Sequence, residues 1–248
     1  MASIGIFDSG SGGLTVLREI RKILPQERFI YWSDNAHCPY GEKTAAYIID
    51  RSRAIVENLL SRGVQAIVVA CNTATATAIA TLRAEYDIPF VGMEPAVKPA
   101  VSGTRSGVVG VLATAGTLNA PKYLNIKGQY ADAVRIVESV GRGFVELVES
   151  LELDGPHAES VVRASLEPLL AAGADTIVLG CTHYPFLLPL MQHIAPPDVT
   201  FIDPAPAVAR RLRDVLSEGG IPASDASPGV ELLSSGADTT LKKLFELI

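Results

Sequence analysis

Cysteine is scarce in this chain. Its three residues, Cys38, Cys71 and Cys181, are too few and too widely spaced for a disulfide framework, and without a Cys-x-x-Cys pair a structural zinc site has no anchor. Concentrated positive charge is missing too. No basic run exceeds two residues, and 21 basic side chains face 27 acidic ones, for a net charge of −6. A surface of that kind displaces few counterions from a phosphate backbone, so nucleic acid is not an expected partner. No apolar run approaches the ~18 residues that a bilayer span needs, so no membrane partner is expected. The N-terminal residues, Met1 to Phe7, enter an apolar strand pattern directly, with neither a basic leader nor an Ala-x-Ala cleavage site. A soluble protein in a reducing, cytoplasmic setting is the expectation.

What is present is material for a core. Hydrophobic residues make up 48% of 248, which excludes wholesale disorder and fits one large domain or two small ones. Short β-rich runs alternate with helical patterns. The predicted strands are 3–7, 29–33, 66–70, 89–92, 108–112, 134–137, 176–180, 200–202 and 231–233. Several are apolar throughout, as in strands covered on both faces. The predicted helices include 14–24, 45–61, 74–85, 158–171 and 207–216. In the second, Ile48, Ala54, Ile55, Leu59 and Leu60 mark the apolar stripe, with Arg51, Glu57 and Arg62 away from it. Such alternation predicts an α/β fold with parallel sheets.

An internal repeat organises the pattern. Ala66 to Thr73 (AIVVACNT) matches Thr176 to His183 (TIVLGCTH), displaced by 110 residues. Phe90-Val91 with Pro95-Ala96-Val97 matches Phe201-Ile202 with Pro206-Ala207-Val208, and Gly5 to Ser9 matches Gly110 to Thr114. Three matches in one order imply a duplicated unit, with halves of about 1–97 and 107–208. The repeat leaves the last roughly forty residues unassigned and does not say which half they pack on.

Each half runs an apolar strand into a cysteine and then turns polar: Cys71-Asn72-Thr73 and Cys181-Thr182-His183. Strand C-termini of open parallel sheets form ligand crevices. A helix starting there presents free N–H groups and a positive dipole end, which bind carboxylates and favour a thiolate. Two thiols approaching one ligand from opposite sides would suit inversion at a tetrahedral carbon, one removing a proton and the other returning one. A lone strand-end cysteine is usually an inert small hydrophobe; two at duplicated positions, each followed by polar residues, are not. Cys38 has no counterpart in the other half.

Lesser signals surround this pair. Asp8-Ser9-Gly10-Ser11-Gly12-Gly13 follows the first strand and permits close backbone approach to an anion, but it fits neither a dinucleotide fingerprint nor a P-loop. Asp8 reads either as a helix cap or as a carboxylate acting on Cys71. His183 stands two residues from Cys181 and is placed to assist it, whereas His37, His157 and His193 lack such a neighbour. The pattern around Glu149 alone reads as a solvated helix face. No metal-binding cluster or cofactor motif is evident.

At these motifs the chain resembles the glutamate racemases of the aspartate/glutamate racemase superfamily. The resemblance rests on Phe7-Asp8-Ser9-Gly10-x-Gly12-Gly13, Asp34-x-Ala36-x-x-Pro39-Tyr40-Gly41-Glu42-Lys43, Ala70-Cys71-Asn72-Thr73-Ala74 and Gly180-Cys181-Thr182-His183-Tyr184-Pro185. It implies cofactor-independent interconversion of L- and D-glutamate, supplying D-glutamate to peptidoglycan. By motif, Cys71 would serve the D-enantiomer with Asp8, and Cys181 the L-enantiomer with His183 and Glu149. Asp8, Ser9, Tyr40, Gly41, Asn72, Thr73, Thr182 and His183 would hold substrate, and Thr114 would line the pocket. The resemblance also implies two pseudo-symmetric parallel-sheet α/β domains facing each other across a cleft, with the C-terminal segment folding back onto the first: 1–97 plus about 209–248 as one domain and 98–208 as the other. One segment departs from the pattern: Ser139-Val140-Gly141-Arg142-Gly143 stands where many relatives have Ala-Cys-Pro. No cofactor and no metal are implied, and the partner is a small molecule, with a homodimer compatible. The rival readings are a racemase of aspartate, a decarboxylase of the same fold, which needs only one thiol, and a non-catalytic amino-acid-binding regulator, which needs neither.

Overall fold

The computed structural model describes residues 3–221 and 227–248. In chain order the elements are β1 (Ser3–Asp8), α1 (Leu14–Ile23), β2 (Arg28–Ser33), α2 (Ala45–Ser61), β3 (Val64–Val69), α3 (Asn72–Glu85), β4 (Phe90–Gly92), α4 (Val97–Gly103), β5 (Val108–Ala113), α5 (Ala115–Leu118), α6 (Pro121–Gln129), β6 (Arg135–Val140), α7 (Phe144–Glu149), α8 (Gly155–Ala171), β7 (Thr176–Gly180), α9 (Leu188–Ile194), β8 (Thr200–Ile202), α10 (Ala205–Glu218), β9 (Gly229–Ser234) and α11 (Thr239–Phe245). The chain divides into two compact units, Met1–Met93 with Ala205–Ile248, and Glu94–Pro204. The second is therefore an insertion in the first. Among the described residues no helix is long and apolar enough to cross a membrane.

Both sheets are wholly parallel. Strand order is β4-β3-β1-β2-β9 in the first unit and β6-β5-β7-β8 in the second. Read in the opposite sense, the second is β8-β7-β5-β6, which reproduces β4-β3-β1-β2 strand for strand. The duplication inferred from three short matches is thus a duplication of connectivity, and β9 is an addition on the outer side of β2. All six residues of β1 and all five of β7 are buried. Strands covered on both faces need no alternation, so their sequences read as unbroken apolar runs.

Register makes the repeat closer than the sequence does. Gly5 pairs with Ile67 in β3, and Gly110 with Ile177 in β7. A Cβ on Gly5 would meet Leu59 at 3.1 Å and Ile67 at 3.3 Å; on Gly110 it would meet Ile177 at 3.1 Å and Leu169 at 3.2 Å. In each unit a central strand thus presses against one leucine of the helix that precedes its neighbour. The helices that supply these leucines, α2 and α8, are both 17 residues long, and each is followed by a left-handed glycine, Gly63 (φ 78°) and Gly173 (φ 88°). Both glycines close the helix by donating to a carbonyl three residues back, Leu60 and Leu170, at 2.9 Å.

Two sequence expectations are corrected. The buried positions of α2 are Ile48, Ser52, Ile55, Val56 and Leu59, whereas Ala54 is exposed; a small residue is no marker of the inner face. Cys181 is followed not by an α-helix but by a 3₁₀ turn, Tyr184–Leu187, ahead of α9. Pro185 and Pro189 each lack a backbone N–H, so a regular helix cannot begin at Cys181. The helix-dipole argument therefore applies to Cys71 and not to Cys181.

Candidate active site

In the first unit the candidate residues collect at the C-terminal edge of the sheet. Asp8, fully buried, closes β1. Its Oδ2 accepts the backbone N–H of Gly10 at 3.3 Å and of Gly13 at 3.0 Å, which pins the glycine-rich turn against the strand end. Tyr31 braces the same turn by donating its hydroxyl to the Gly10 carbonyl at 3.0 Å. Gly13 is obligatory there: a Cβ would fall 2.8 Å from the Asp8 Cβ and 2.9 Å from the Tyr31 hydroxyl. The cap reading of Asp8 is corrected: the N-cap of α1 is Gly13, with no side-chain cap hydrogen bond, and Asp8 holds the turn ahead of the helix instead.

Cys71 lies just beyond β3 and is the N-cap of α3. Its sulfur accepts the Ala74 N–H at 3.4 Å, and its thiol donates to the Ser9 hydroxyl at 3.7 Å. Thr73 is buried in the same turn, and Asn72 is 3% exposed with neither its Oδ1 nor its Nδ2 hydrogen-bonded within the protein. The Ser33 hydroxyl at the end of β2 is likewise buried and unpartnered. An unsatisfied buried polar group costs ~1–3 kcal/mol, so two of them at one sheet edge call for polar partners there from outside the protein.

Beyond β2, Tyr40 and Gly41 sit in a 3₁₀ turn, Tyr40–Glu42, whose Tyr40 ring is buried. The Tyr40 hydroxyl donates to Asp34 Oδ2 at 2.6 Å, and Arg51 from α2 clamps the same carboxylate, Nε to Oδ2 at 3.0 Å and a terminal nitrogen to Oδ1 at 2.7 Å. Burial pushes the Asp34 carboxyl up, but these charged and hydrogen-bonding partners outweigh it and hold it below the usual carboxylate range. Burial and the Asp34 charge raise Tyr40 far above an ordinary phenol, so it stays a neutral donor. β9 steadies this segment from outside: the Ser235 N–H donates to the Ser33 carbonyl at 3.0 Å, and the Ala36 N–H to the Ser235 hydroxyl at 3.1 Å.

In the second unit, Thr114 follows β5 and caps α5, its hydroxyl oxygen accepting from the Thr117 N–H at 3.2 Å. Ala113 pairs with Gly180, the last residue of β7, so Thr114 and Cys181 leave neighbouring strand ends. Cys181, Thr182 and His183 are 7%, 2% and 1% exposed. The Cys181 sulfur is 3.9 Å from His183 Nδ1, the Thr182 hydroxyl is 3.5 Å from the same nitrogen, and His183 Nε2 is 2.8 Å from Glu149 Oε1 at the end of α7. A carboxylate only accepts, so Nε2 carries the hydrogen, and the lone pair of a neutral imidazole is left on Nδ1, towards the Cys181 thiol. Glu149, His183 and Cys181 thus form a chain in which a thiol proton has a defined acceptor.

Tyr184 supports this turn. It is fully buried, stacks edge-on against Phe144 of α7 with centroids 4.9 Å apart, and donates to the Gly141 carbonyl at 3.3 Å. Gly141 belongs to the segment that departs from the family pattern, and a Cβ there would fall 2.5 Å from the Tyr184 hydroxyl. Gly141→Ala should therefore destabilise the protein by ~1–3 kcal/mol through overpacking, read as a lower urea midpoint at unchanged slope.

Each sequence-predicted residue thus lies at the C-terminal edge of its own unit's sheet. Asp8, Ser9, Tyr40, Gly41, Cys71, Asn72 and Thr73 belong to the first, and Thr114, Glu149, Cys181, Thr182 and His183 to the second. The solvated-face reading of Glu149 from its pattern is corrected by the bond to His183. Arg51 is also corrected: it turns inward onto a fully buried carboxylate and is only 26% exposed. Asp34 belonged to a recognised motif but was given no role of its own, and Ser33 was missed. Their position immediately after a parallel strand was the available signal.

Comparison with known proteins agrees with this architecture. A family model described as Asp/Glu/hydantoin racemase matches residues 4–212. A glutamate racemase of Ectopseudomonas mendocina is 48% identical over 248 residues, covering 100% of this chain and 94% of that one. Among solved structures, glutamate racemase isoform RacE1 from Bacillus anthracis superposes with a TM-score of 0.88 at 32% identity, covering 99% of this chain and 93% of that one. The Escherichia coli glutamate racemase, solved in complex with L-glutamate and the activator UDP-MurNAc-Ala, gives 0.88 at 34% identity, covering 100% and 94%. The protein is an isomerase of the racemase class. Within that class, the chain belongs to the Asp/Glu/hydantoin racemase family.

Proposed function

We propose that the protein interconverts L- and D-glutamate without a cofactor, with Cys71 and Cys181 as the two bases, and so supplies D-glutamate for peptidoglycan from the cytoplasm. In the L-to-D direction the Cys181 thiolate takes the α-proton of L-glutamate and becomes a thiol. The resulting carbanion takes the proton of the Cys71 thiol on its opposite face, leaving D-glutamate and a Cys71 thiolate. The reverse reaction starts from that state, so no proton or electron is gained or lost over the cycle. The chemistry requires each sulfur to reach its own face of one α-carbon. Thiolates suit this task because they are weakly solvated and lose little on desolvation, and a positioned base contributes ~10²–10⁴-fold in rate.

The supporting residues divide by unit. His183, oriented by Glu149, receives and returns the Cys181 proton, while Asp8 steadies the glycine-rich turn and assists Cys71. Asp8, Ser9, Tyr40, Gly41, Asn72 and Thr73 hold substrate from the first unit, and Thr114, Thr182 and His183 from the second. The unpaired amide of Asn72, beside Cys71, finds partners in a substrate carboxylate and ammonium.

The observation that carries this reading is the pair of strand-end cysteines at equivalent places in two sheets of one strand order. The glutamate racemases among its relatives support glutamate as the substrate. The test is L-glutamate in D₂O with no added cofactor. Racemic glutamate carrying deuterium at Cα is expected, with kcat/KM for glutamate well above that for aspartate. Folded protein that binds L-glutamate yet exchanges no α-proton would be a binding regulator, and the proposal would fall.

A further inference from the structure

The racemase chemistry proposed above uses a sheet edge crowded with negative charge, and one residue outside the recognised motifs answers that charge. At the C-terminal edge of the first unit, the Asp8 carboxylate is fully buried and accepts the Gly10 and Gly13 N–H groups. Asp34, also 0% exposed, stands next to it in the fold, its N–H donating to the Asp8 carbonyl at 3.0 Å. Cys71 is a thiolate for part of each cycle, and glutamate brings two carboxylates. Burying that many like charges together is unfavourable unless some are neutralised in place.

Arg51 does this for Asp34. It reaches in from α2, an element that carries none of the proposed catalytic residues, and grips both Asp34 oxygens with two parallel hydrogen bonds. That fork is the strong, orientation-fixing form of a carboxylate contact, which lysine does not reproduce. Asp34 Oδ2 is thereby fixed as the acceptor for the Tyr40 hydroxyl at 2.6 Å. Tyr40 in turn opens the turn containing Gly41, which closes when the Lys43 N–H donates to the Tyr40 carbonyl at 3.0 Å.

We propose that Arg51 is a positioning residue for substrate binding: by neutralising buried Asp34 and locking it onto Tyr40, it holds the Tyr40-Gly41 turn ready to receive a dicarboxylate. Arg51 acts through Asp34 and Tyr40, not on either reacting thiol. Its removal is felt in how glutamate binds and not in how a bound proton moves.

The test is a steady-state comparison of wild type, Arg51→Met, Arg51→Lys, Asp34→Asn and the double variant Asp34→Asn/Arg51→Met. Arg51→Met should raise KM for glutamate about tenfold or more, the loss of roughly one decade in affinity that an uncompensated buried charge readily causes. Its kcat should stay within about threefold of wild type, as expected when an interaction shared by ground and transition states is removed. Arg51→Lys should recover part of the loss. In the Asp34→Asn background the same Arg51→Met change should move KM by less than about twofold, because no charge is left to neutralise. A purely structural arginine predicts equal losses in both backgrounds. That result, or an Arg51→Met enzyme with unchanged KM or with a fall in kcat alone, overturns the proposal. Should Arg51→Met not fold, Arg51→Lys and the double variant read the same coupling. Wild type without glutamate turnover would refute the functional reading instead, and calorimetric L-glutamate binding across the same variants would still decide the role of Arg51.

Discussion

Cys71→Ala and Cys181→Ala should each abolish racemisation, lowering kcat by at least ~10²–10⁴-fold, while circular dichroism and the urea midpoint remain close to wild type. Each thiol occupies a small site at a strand end, where loss of one sulfur creates little void. The informative measurement is what remains. With Cys71 removed, the Cys181 side can still take the α-proton of L-glutamate and return a solvent deuteron to the same face. Residual exchange in D₂O should then be confined to L-glutamate and proceed with retention. With Cys181 removed, it should be confined to D-glutamate. Racemisation by either variant at near-normal rate would show that one base serves both faces, and the two-thiol assignment would be lost.

The second large effect is expected at His183. His183→Asn should lower kcat/KM by ~10²–10³-fold, because the amide cannot accept the Cys181 proton at the place where Nδ1 does, 3.9 Å from the sulfur. Glu149→Gln should cost only about tenfold, since the amide oxygen still accepts the His183 Nε2 hydrogen and what is lost is the added strength of a charged acceptor. The two enantiomers are equal in energy, so kcat/KM must fall equally in both directions and cannot reveal which side His183 serves. Isotope effects can. Weakening Cys181 makes removal of the L-proton more nearly rate-limiting, so the deuterium effect should rise with α-deuterated L-glutamate and should fall with the α-deuterated D-enantiomer, whose own proton removal becomes less rate-limiting. A rise for both enantiomers would place His183 on neither side in particular.

The sequence made the fold legible because the central strands, such as β1 and β7, are apolar on both faces and do not read as amphipathic helices. All nine predicted strands correspond to β1–β9, and their ends moved by only a few residues. The short helices α4, α5, α6, α9 and α11 are not among the helices named from the sequence, since a helix of no more than about three turns shows little of a periodic stripe. The candidate site was legible where chemistry sits directly at strand ends, as at Asp8, Cys71 and Cys181. It was illegible where a partner comes from elsewhere in the chain. Glu149 and Arg51 are charged residues on helices, so local pattern assigns both to solvent. Only the tertiary fold brings one to His183 and the other to Asp34.

The insertion that splits the first unit has a consequence for synthesis. β9 pairs with β2 across some two hundred intervening residues, and Ser235, just past it, ties down the segment leading to Tyr40. A nascent chain halted before residue 229 would carry both thiols and every other proposed contact, yet β2 would remain an open edge and the Tyr40 turn would lack its outer brace. Such long-range parallel closure is slow to form. Competence should consequently arrive late and abruptly, with the final turn of the polypeptide back onto its own beginning.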